Sequence, residues 1–225
     1  MPNHLLFPDA HAAADALTFA SRSARLGDGT VRLQARAGTL AMTSAPLAPR
    51  GLLDSTPTVL GMRTLPVDPE LICDLVVEAS SLAPSALDAS TVTLPDTAQS
   101  PAWAGIAPPR GGWEARSSIP ASVLAARAQW GIAAAAEALP QEPGEDVVRT
   151  VRAAVWGPPD DALDGLPLGT AFAAFALGFI VGEEDARVLV SGAWTRVSLM
   201  RGHIIVRGPA RVGLTPVRST GPAAS

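Results

Sequence analysis

Two alternating segments joined by a glycine-containing turn constrain the fold of this chain most. Residues 31–36 and 39–45 alternate apolar and polar side chains, and an alanine-rich helical segment at residues 9–26 precedes them. A period of two places apolar side chains on one strand face, and such a turn joins antiparallel neighbours. A helix followed by a hairpin recurs at residues 168–200. The pattern predicts hairpins near both ends of an antiparallel sheet.

The rest of the pattern predicts an α+β fold, with a mainly antiparallel sheet packed by three to four helices. Residues 95–119 are expected to form a long loop. Ser118 is expected to cap a helix reaching residue 139, with Ile119, Val123, Ala126 and Trp130 on its packed face. Further helices are predicted at residues 145–155 and 168–181, and further strands at 58–65, 71–77, 90–94, 187–191, 194–200 and 203–207. We expect residues 1–207 to form a single compact domain and residues 208–225, rich in Pro, Gly and Ser, to form a frayed tail.

The absence of lysine excludes several enzyme classes. The Walker A phosphate loop, the pyridoxal-phosphate Schiff base and the Ser-x-x-Lys nucleophile all require a lysine amine. None of the three histidines lies in a His-Glu-x-x-His motif, and the single cysteine cannot form an internal disulfide or a multi-cysteine zinc site. We therefore predict no catalytic residue, no cofactor and no metal site, which favours a protein that is not an enzyme.

Charge and hydropathy restrict the partners and the location. A formal net charge of −4 argues against a general nucleic-acid binder, although a local arginine patch remains an alternative. Residues 165–182 are uncharged, but Pro167 and the flanking acidic residues favour a buried helix over a membrane span. The N-terminus lacks the pattern of a signal peptide. These features predict a cytoplasmic protein with no membrane partner.

The segment from Trp103 to Glu114 is the first candidate binding site. Its prolines and paired glycines bend the backbone, Trp103 and Trp113 offer flat apolar surface, and Arg110 offers a fork for carboxylate or phosphate. The alternative is that the tryptophans fill the edge of the core while Arg110 pairs with an acid.

The second candidate is the hairpin that runs from Trp194 through Arg196 and Arg201 to His203. Strand alternation places Trp194 and Arg196 on one face, away from a core-facing Val197. Tryptophan and arginine are enriched at interface hot spots. The alternative is a cation–π pair on an ordinary solvated sheet face.

Several strings resemble an uncharacterised family of actinobacterial conserved hypothetical proteins. They lie at residues 57–65, 103–114, 153–157, 171–179 and 191–207. The resemblance spans most of the chain and implies a cytoplasmic actinobacterial protein, but it implies no activity, cofactor or catalytic residue.

Three functional hypotheses follow from these observations. The first is a non-enzymatic binding or protein-interaction protein that forms a homodimer. The second is a binder of a small anionic ligand, or an enzyme, in which Arg110, Arg196 and Arg201 clamp the ligand and His203 transfers a proton. The third is a protein that associates with nucleic acid through an arginine patch, which the net acidity makes the least favoured.

Overall fold

The computed structural model describes residues 3–51, 54–105 and 107–208. Within these residues four α-helices and thirteen strands alternate along the chain, with three short 3-10 helices between them. The helices are α1 (Ala10–Ser23), α2 (Ala121–Ala138), α3 (Glu145–Trp156) and α4 (Gly169–Ala176). The strands are β1 (His4–Leu6), β2 (Thr30–Arg36), β3 (Thr39–Leu47), β4 (Thr58–Pro66), β5 (Cys73–Glu78), β6 (Ala83–Pro84), β7 (Thr91–Thr93), β8 (Glu114–Pro120), β9 (Pro159–Asp160), β10 (Leu166–Pro167), β11 (Asp185–Ser191), β12 (Trp194–Leu199) and β13 (Gly202–Arg207).

Eight strands form one continuous antiparallel sheet in the order β5-β2-β3-β4-β13-β12-β11-β8. The first four come from residues 30–78 and the last four from residues 114–207. The two sets meet where β4 pairs with β13, from Thr58 opposite Arg207 to Met62 opposite His203. Strands β1, β7 and β6 form a small second sheet, and β9 pairs with β10. The predicted α+β class with a mainly antiparallel sheet is confirmed.

The two halves of the large sheet repeat one arrangement. In each half a helix precedes three strands that run from outside to centre, β2-β3-β4 in one half and β11-β12-β13 in the other. The hairpins predicted near both ends of the chain are therefore present. The first turns at Ala37 and Gly38, both at positive φ (49° and 76°), which is the geometry that suits the right-handed twist of a two-residue hairpin.

The main core lies between one face of this sheet and helices α1, α2 and α4. Fully buried side chains from the strands, such as Leu33, Met42 and Ile204, meet Leu124 and Leu177 from the helices. Phe19 of α1 stacks on Phe179 with ring centroids 6.1 Å apart. Burial of large apolar side chains on this scale is the dominant stabilising term of the fold.

The opposite sheet face, which we call the second face, carries a smaller cluster. It comprises Ala45, Leu60, Val76, Trp103, Trp194 and Ile205. The cluster is covered from the segment between β7 and β8 rather than by an α-helix, since Ala104 and Trp113 pack against it. This segment therefore acts as a partial lid over the centre of the second face.

The sequence prediction was wrong at the start of α2. Residues 114–120, expected at the end of a loop, form the edge strand β8, which pairs with β11. Ser118 consequently lies in a strand, and Pro120 occupies the N-cap position without a side-chain cap. The backbone N–H of Ala121 instead donates to the carbonyl of Glu184, at 2.8 Å. A tertiary contact thus replaces the local cap that Ser118 was expected to supply.

The packed face of α2 and the end of α4 also differ from the prediction. The buried positions of α2 are Ala121, Leu124, Ala128 and Gly131, whereas Trp130 is 54% exposed. Because this helix is alanine-rich on every side, apolar periodicity could not select its packed face. Helix α4 ends at Ala176 rather than at residue 181, and Gly178 follows at φ 71°. A glycine in the left-handed region is a common helix stop.

The predicted tail falls almost wholly on residues 209–225, outside the described residues. In the part of the chain that the structure describes, no helix is both long enough and apolar enough to cross a membrane.

Candidate functional site

Three of the predicted residues are tryptophans, and all three contact the small cluster on the second face. Trp103 is buried, and its indole N–H donates to Asp28 Oδ2 at 2.8 Å. Trp113 is half-buried, and its indole N–H donates to the carbonyl of Pro109 at 3.2 Å. Trp194 is buried, with the guanidinium of Arg207 5.6 Å from its ring centroid. The second face therefore holds a tryptophan-rich surface whose ring edges are largely engaged.

Arg196 and His203 lie beside these tryptophans on the second face. The guanidinium of Arg196 stacks over the Trp113 ring at 4.7 Å, while Val197 faces the main core, as the alternation predicts. His203 Nδ1 lies 3.1 Å from Ser198 Oγ. Burial lowers the pKa of His203 below its usual value, and the charges of Arg196 and Arg187 add to this shift. The imidazole is therefore neutral at neutral pH.

The remaining two predicted residues lie apart from this group. Arg110 is exposed in the segment that crosses the second face, near enough to Asp74 to help lower its pKa, after the larger effect of Arg32. Arg201 lies in the exposed turn between β12 and β13, where its carbonyl accepts a hydrogen bond from Arg63. The structure thus groups Trp103, Trp113, Trp194, Arg196 and His203, and leaves Arg110 and Arg201 outside that group.

A groove that the sequence did not predict lies between the end of β3 and α3. It has a volume of about 620 Å³. One wall comes from residues 45–50 and 101–103, and the other comes from α3 through Val148, Arg149, Arg152 and Ala153. Most lining side chains are apolar. They come both from the part of the chain that forms the first half of the large sheet and from the part that forms the second half. Open pockets of this size with mainly apolar walls are the usual form of ligand sites.

Glycine and tryptophan residues position the two walls. Gly27 lies at φ 57° against β3, and a Cβ atom there would stand 2.0 Å from the carbonyl oxygen of Ala45. Helix α3 is anchored at its C-terminal end by Trp156, its one buried residue, which stacks on Phe172 at 4.4 Å. The remainder of α3 is left half-buried or exposed, so its inner face lines the groove.

Three arginines, Arg50, Arg149 and Arg152, give the groove its charge. Arg149 pairs with Asp146 one turn earlier on α3. Arg152 is half-buried, and burial together with the charge of Arg50 lowers its pKa. Among the described residues, neither Arg50 nor Arg152 has a carboxylate within salt-bridge distance. Two of the three groove arginines therefore have no ion-pair partner among the described residues, although Asp28, Asp54 and Glu145 also line the groove.

Sequence reasoning missed this groove because its parts are far apart in the chain. One signal was present, since Arg149 and Arg152 are spaced three residues apart and so lie on one helix face. Arg50 follows Pro49 in a segment whose pattern indicated only a loop. Nothing local indicates that this loop and that helix meet.

Two family models together match nearly the whole chain. Residues 1–105 match a domain of unknown function, DUF8010, and residues 108–211 match another, DUF8185. Both descriptions agree with the resemblance to an uncharacterised family, while the actinobacterial origin stays a prediction. No curated protein matches this chain.

Several solved structures of bacterial sliding clamps align with this chain. The DNA polymerase sliding clamp of Caulobacter crescentus aligns at 13% identity with a TM-score of 0.48, over 100% of this chain and 70% of that one. The DnaN sliding clamp of Bartonella birtlesii, bound to griselimycin, aligns at 13% identity and 0.49, over 95% and 66%. A putative DNA polymerase III beta subunit from Eubacterium rectale aligns at 9% and 0.49, over 91% and 64%. The chain thus spans about two thirds of the length of these proteins.

These neighbours contradict the functional hypotheses drawn from the sequence. Those hypotheses were a non-enzymatic interaction protein, an anionic-ligand binder or enzyme, and, least favoured, a nucleic-acid-associated protein. None of them anticipated that solved structures of DNA polymerase clamps would align with this chain. At such low similarity the neighbours show no activity for this chain, so the groove has to be judged on its own geometry.

Proposed function

We propose that this chain docks a short segment of a partner protein in the groove between β3 and α3. The observation that carries the proposal is an open groove of about 620 Å³ whose walls are mainly apolar and which contains Arg50 and Arg152, two arginines without an ion-pair partner among the described residues. Apolar walls supply contact area, and a few charged groups fix the orientation of what binds. A segment of a few residues is the kind of occupant that suits an open site of this volume.

The rigidity of the walls favours docking. Pro46, Pro49, Pro101 and Pro143 all line the groove. Proline fixes its own φ angle, so less conformational entropy is lost when a ligand orders this surface. The lining residues also come from both family-matched parts of the chain, 27–56 with 101–103 and 143–153. Assembly of the two parts therefore creates the site.

Selection from a random peptide library tests the docking function. Ala153 lines the groove, whereas the next residue on α3, Ala154, is exposed and does not line it. Peptides selected on the wild-type protein are expected to bind Ala154→Trp with unchanged affinity and to lose binding to Ala153→Trp, because the indole fills the groove. The proposal fails if no peptide is selected, or if the selected peptides bind Ala153→Trp as well as they bind the wild type.

Self-association through β8 is a second, independent part of the proposal. Strand β8 is an edge of the large sheet, and six of its seven residues are exposed. The opposite edge, β5, is partly covered, since its Val76 carbonyl accepts from the Gln99 N–H at 2.7 Å. An uncovered edge presents backbone groups that can pair with a second chain. A dimer mass by light scattering at micromolar concentration is expected, and a monomer mass would reject this part.

A further inference from the structure

Among the described residues, no carboxylate lies within salt-bridge distance of the Arg152 guanidinium. This guanidinium lies half-buried on the groove wall, 6.0 Å from the Phe172 ring, and its Nη2 reaches the carbonyl of Pro46 only at 3.5 Å. A distance of 3.5 Å is long for a hydrogen bond, and a partly buried charge without a counter-charge is costly. Burial lowers the pKa of Arg152, and the positive charge of Arg50 lowers it further. Both effects fit a partly buried guanidinium without a counter-charge nearby.

The acidic groups that line the groove are engaged elsewhere. Asp28 accepts from the Thr30 N–H at 3.1 Å, from Thr30 Oγ1 at 2.7 Å and from the Trp103 indole at 2.8 Å. Asp54 accepts from the backbone N–H groups of Arg50 and Thr56, each at 2.9 Å. Its backbone bond to Arg50 orders the loop but leaves the Arg50 guanidinium without a carboxylate.

The third acidic lining residue, Glu145, is exposed in the first turn of α3. There it lies near the positive end of the helix dipole, which already favours its charge. Among the described residues, none of these three acidic residues therefore forms an ion pair with Arg50 or Arg152.

We infer that the docked segment carries an aspartate or glutamate whose carboxylate is bound by Arg152 and Arg50, with its neighbouring residues lying on the apolar wall. This inference rests on the proposed docking function and names the chemistry of the partner. A planar guanidinium binds carboxylate through two parallel hydrogen bonds, and a partly buried site strengthens such charge-assisted bonds.

The surroundings favour one carboxylate over the phosphates of a nucleic acid. Asp28, Asp54 and Glu145 line the same groove, so it suits a single carboxylate placed at Arg50 and Arg152 better than a row of phosphates. The walls beside Arg152 are formed by side chains such as Pro46, Leu47 and Val148. Protein surfaces that bind nucleic acid are usually extended and basic, whereas this site combines two arginines with an apolar wall.

The test uses peptides selected on the wild-type protein and three variants. The selected peptides are expected to share an acidic residue at one position, and changing that residue to its amide should weaken binding roughly tenfold or more, the loss of one charge-assisted contact. Arg152→Gln should cause a similar loss, and combining both changes should cause little further loss. Arg152→Lys keeps the charge and should retain part of the binding. Arg187→Gln, at an exposed arginine of β11, is the matched control and should bind as the wild type does.

Each outcome decides between the two proposals. If peptides bind in the groove without a shared acidic residue, or bind Arg152→Gln unchanged, the carboxylate inference is wrong while docking stands. If no peptide binds the wild type, docking is wrong and the inference falls with it. If an oligothymidine competes for binding at Arg152 and the acidic peptide does not, Arg152 recognises phosphate and the carboxylate inference is wrong. Thermal unfolding of Arg152→Gln, expected at or above the wild-type temperature, confirms that lost binding does not reflect lost folding.

Discussion

At the scale of single residues, strand position controls the charge of His203. The side chain lies on the second face next to Ser198, and burial with the nearby Arg196 and Arg187 lowers its pKa below 6.5. The unfolded chain therefore binds a proton at a pH where the folded chain does not. Stability must then fall as the pH drops below about 6.5, by at most about 1.4 kcal/mol per pH unit for a single group.

Denaturant unfolding at pH 7.5, 6.5 and 5.5 measures this effect. The wild-type protein is expected to lose more unfolding free energy between pH 6.5 and 5.5 than His203→Gln, which has no imidazole to protonate. Arg187→Gln should reduce the loss, because removing a neighbouring positive charge raises the pKa of His203. Equal pH dependence in the wild type and His203→Gln would show that His203 is not the responsible group.

At the scale of elements, the contact of α2 with α3 depends on Gly131. A Cβ atom at this position would lie 2.2 Å from Trp156 Cζ3 and 2.6 Å from Cη2. Because Trp156 anchors α3, the glycine indirectly holds one wall of the groove. A glycine inside a helix lowers stability by about 1 kcal/mol relative to alanine. Here the absence of a Cβ atom lets α2 and α3 approach each other closely.

Gly131→Ala is expected to destabilise the protein by about 1–3 kcal/mol, although helix propensity alone favours alanine. Steric conflict with the Trp156 ring is the physical reason, and peptide binding in the groove should weaken as well. Chemical denaturation measures the change. Ala133→Gly, at an exposed position of the same helix, gives the size of the propensity effect and is expected to lower stability by about 1 kcal/mol. A more stable Gly131→Ala protein would contradict the close-packing account.

How far sequence predicts each element depends on the strength of its local pattern. The hairpins at both ends were predictable from alternation and glycine turns, such as the pair β2 and β3 around Ala37 and Gly38. The packed face of α2 was not, because alanine offers no contrast between faces. Strand β8 was missed because its exposed edge position requires little apolar sequence. Of the candidate residues, strand alternation placed Trp194 and Arg196 together, whereas the groove around Arg152 depends on contacts between distant segments.

At the scale of the whole molecule, the pairing of β4 with β13 joins the two family-matched parts into one sheet. We propose that residues 1–207 behave as one cooperative unit for this reason. Each part on its own would leave an apolar strand edge uncovered, for example at Leu60 or Ile205, which are buried in the assembled sheet.

Cleavage of the intact chain tests this unit. A protease site inserted next to the exposed Gly111 and then cleaved is expected to leave the two fragments associated in native buffer, since the connection there carries little of the sheet pairing. The fragments should separate only at the denaturant concentration that unfolds the sheet. Separation on size-exclusion chromatography without denaturant would show two independent units instead.

The position of β13 at the centre of the sheet has a consequence for synthesis on the ribosome. Strand β4 is complete once residue 66 has emerged, but its partner β13 is the last strand of the described residues to be made, ending at residue 207. Throughout this interval the inner edge of β4 has no neighbour, and closing so long a loop slows folding. The nascent chain must therefore carry an unpaired strand edge through most of translation, and such edges are prone to aggregation until they are paired.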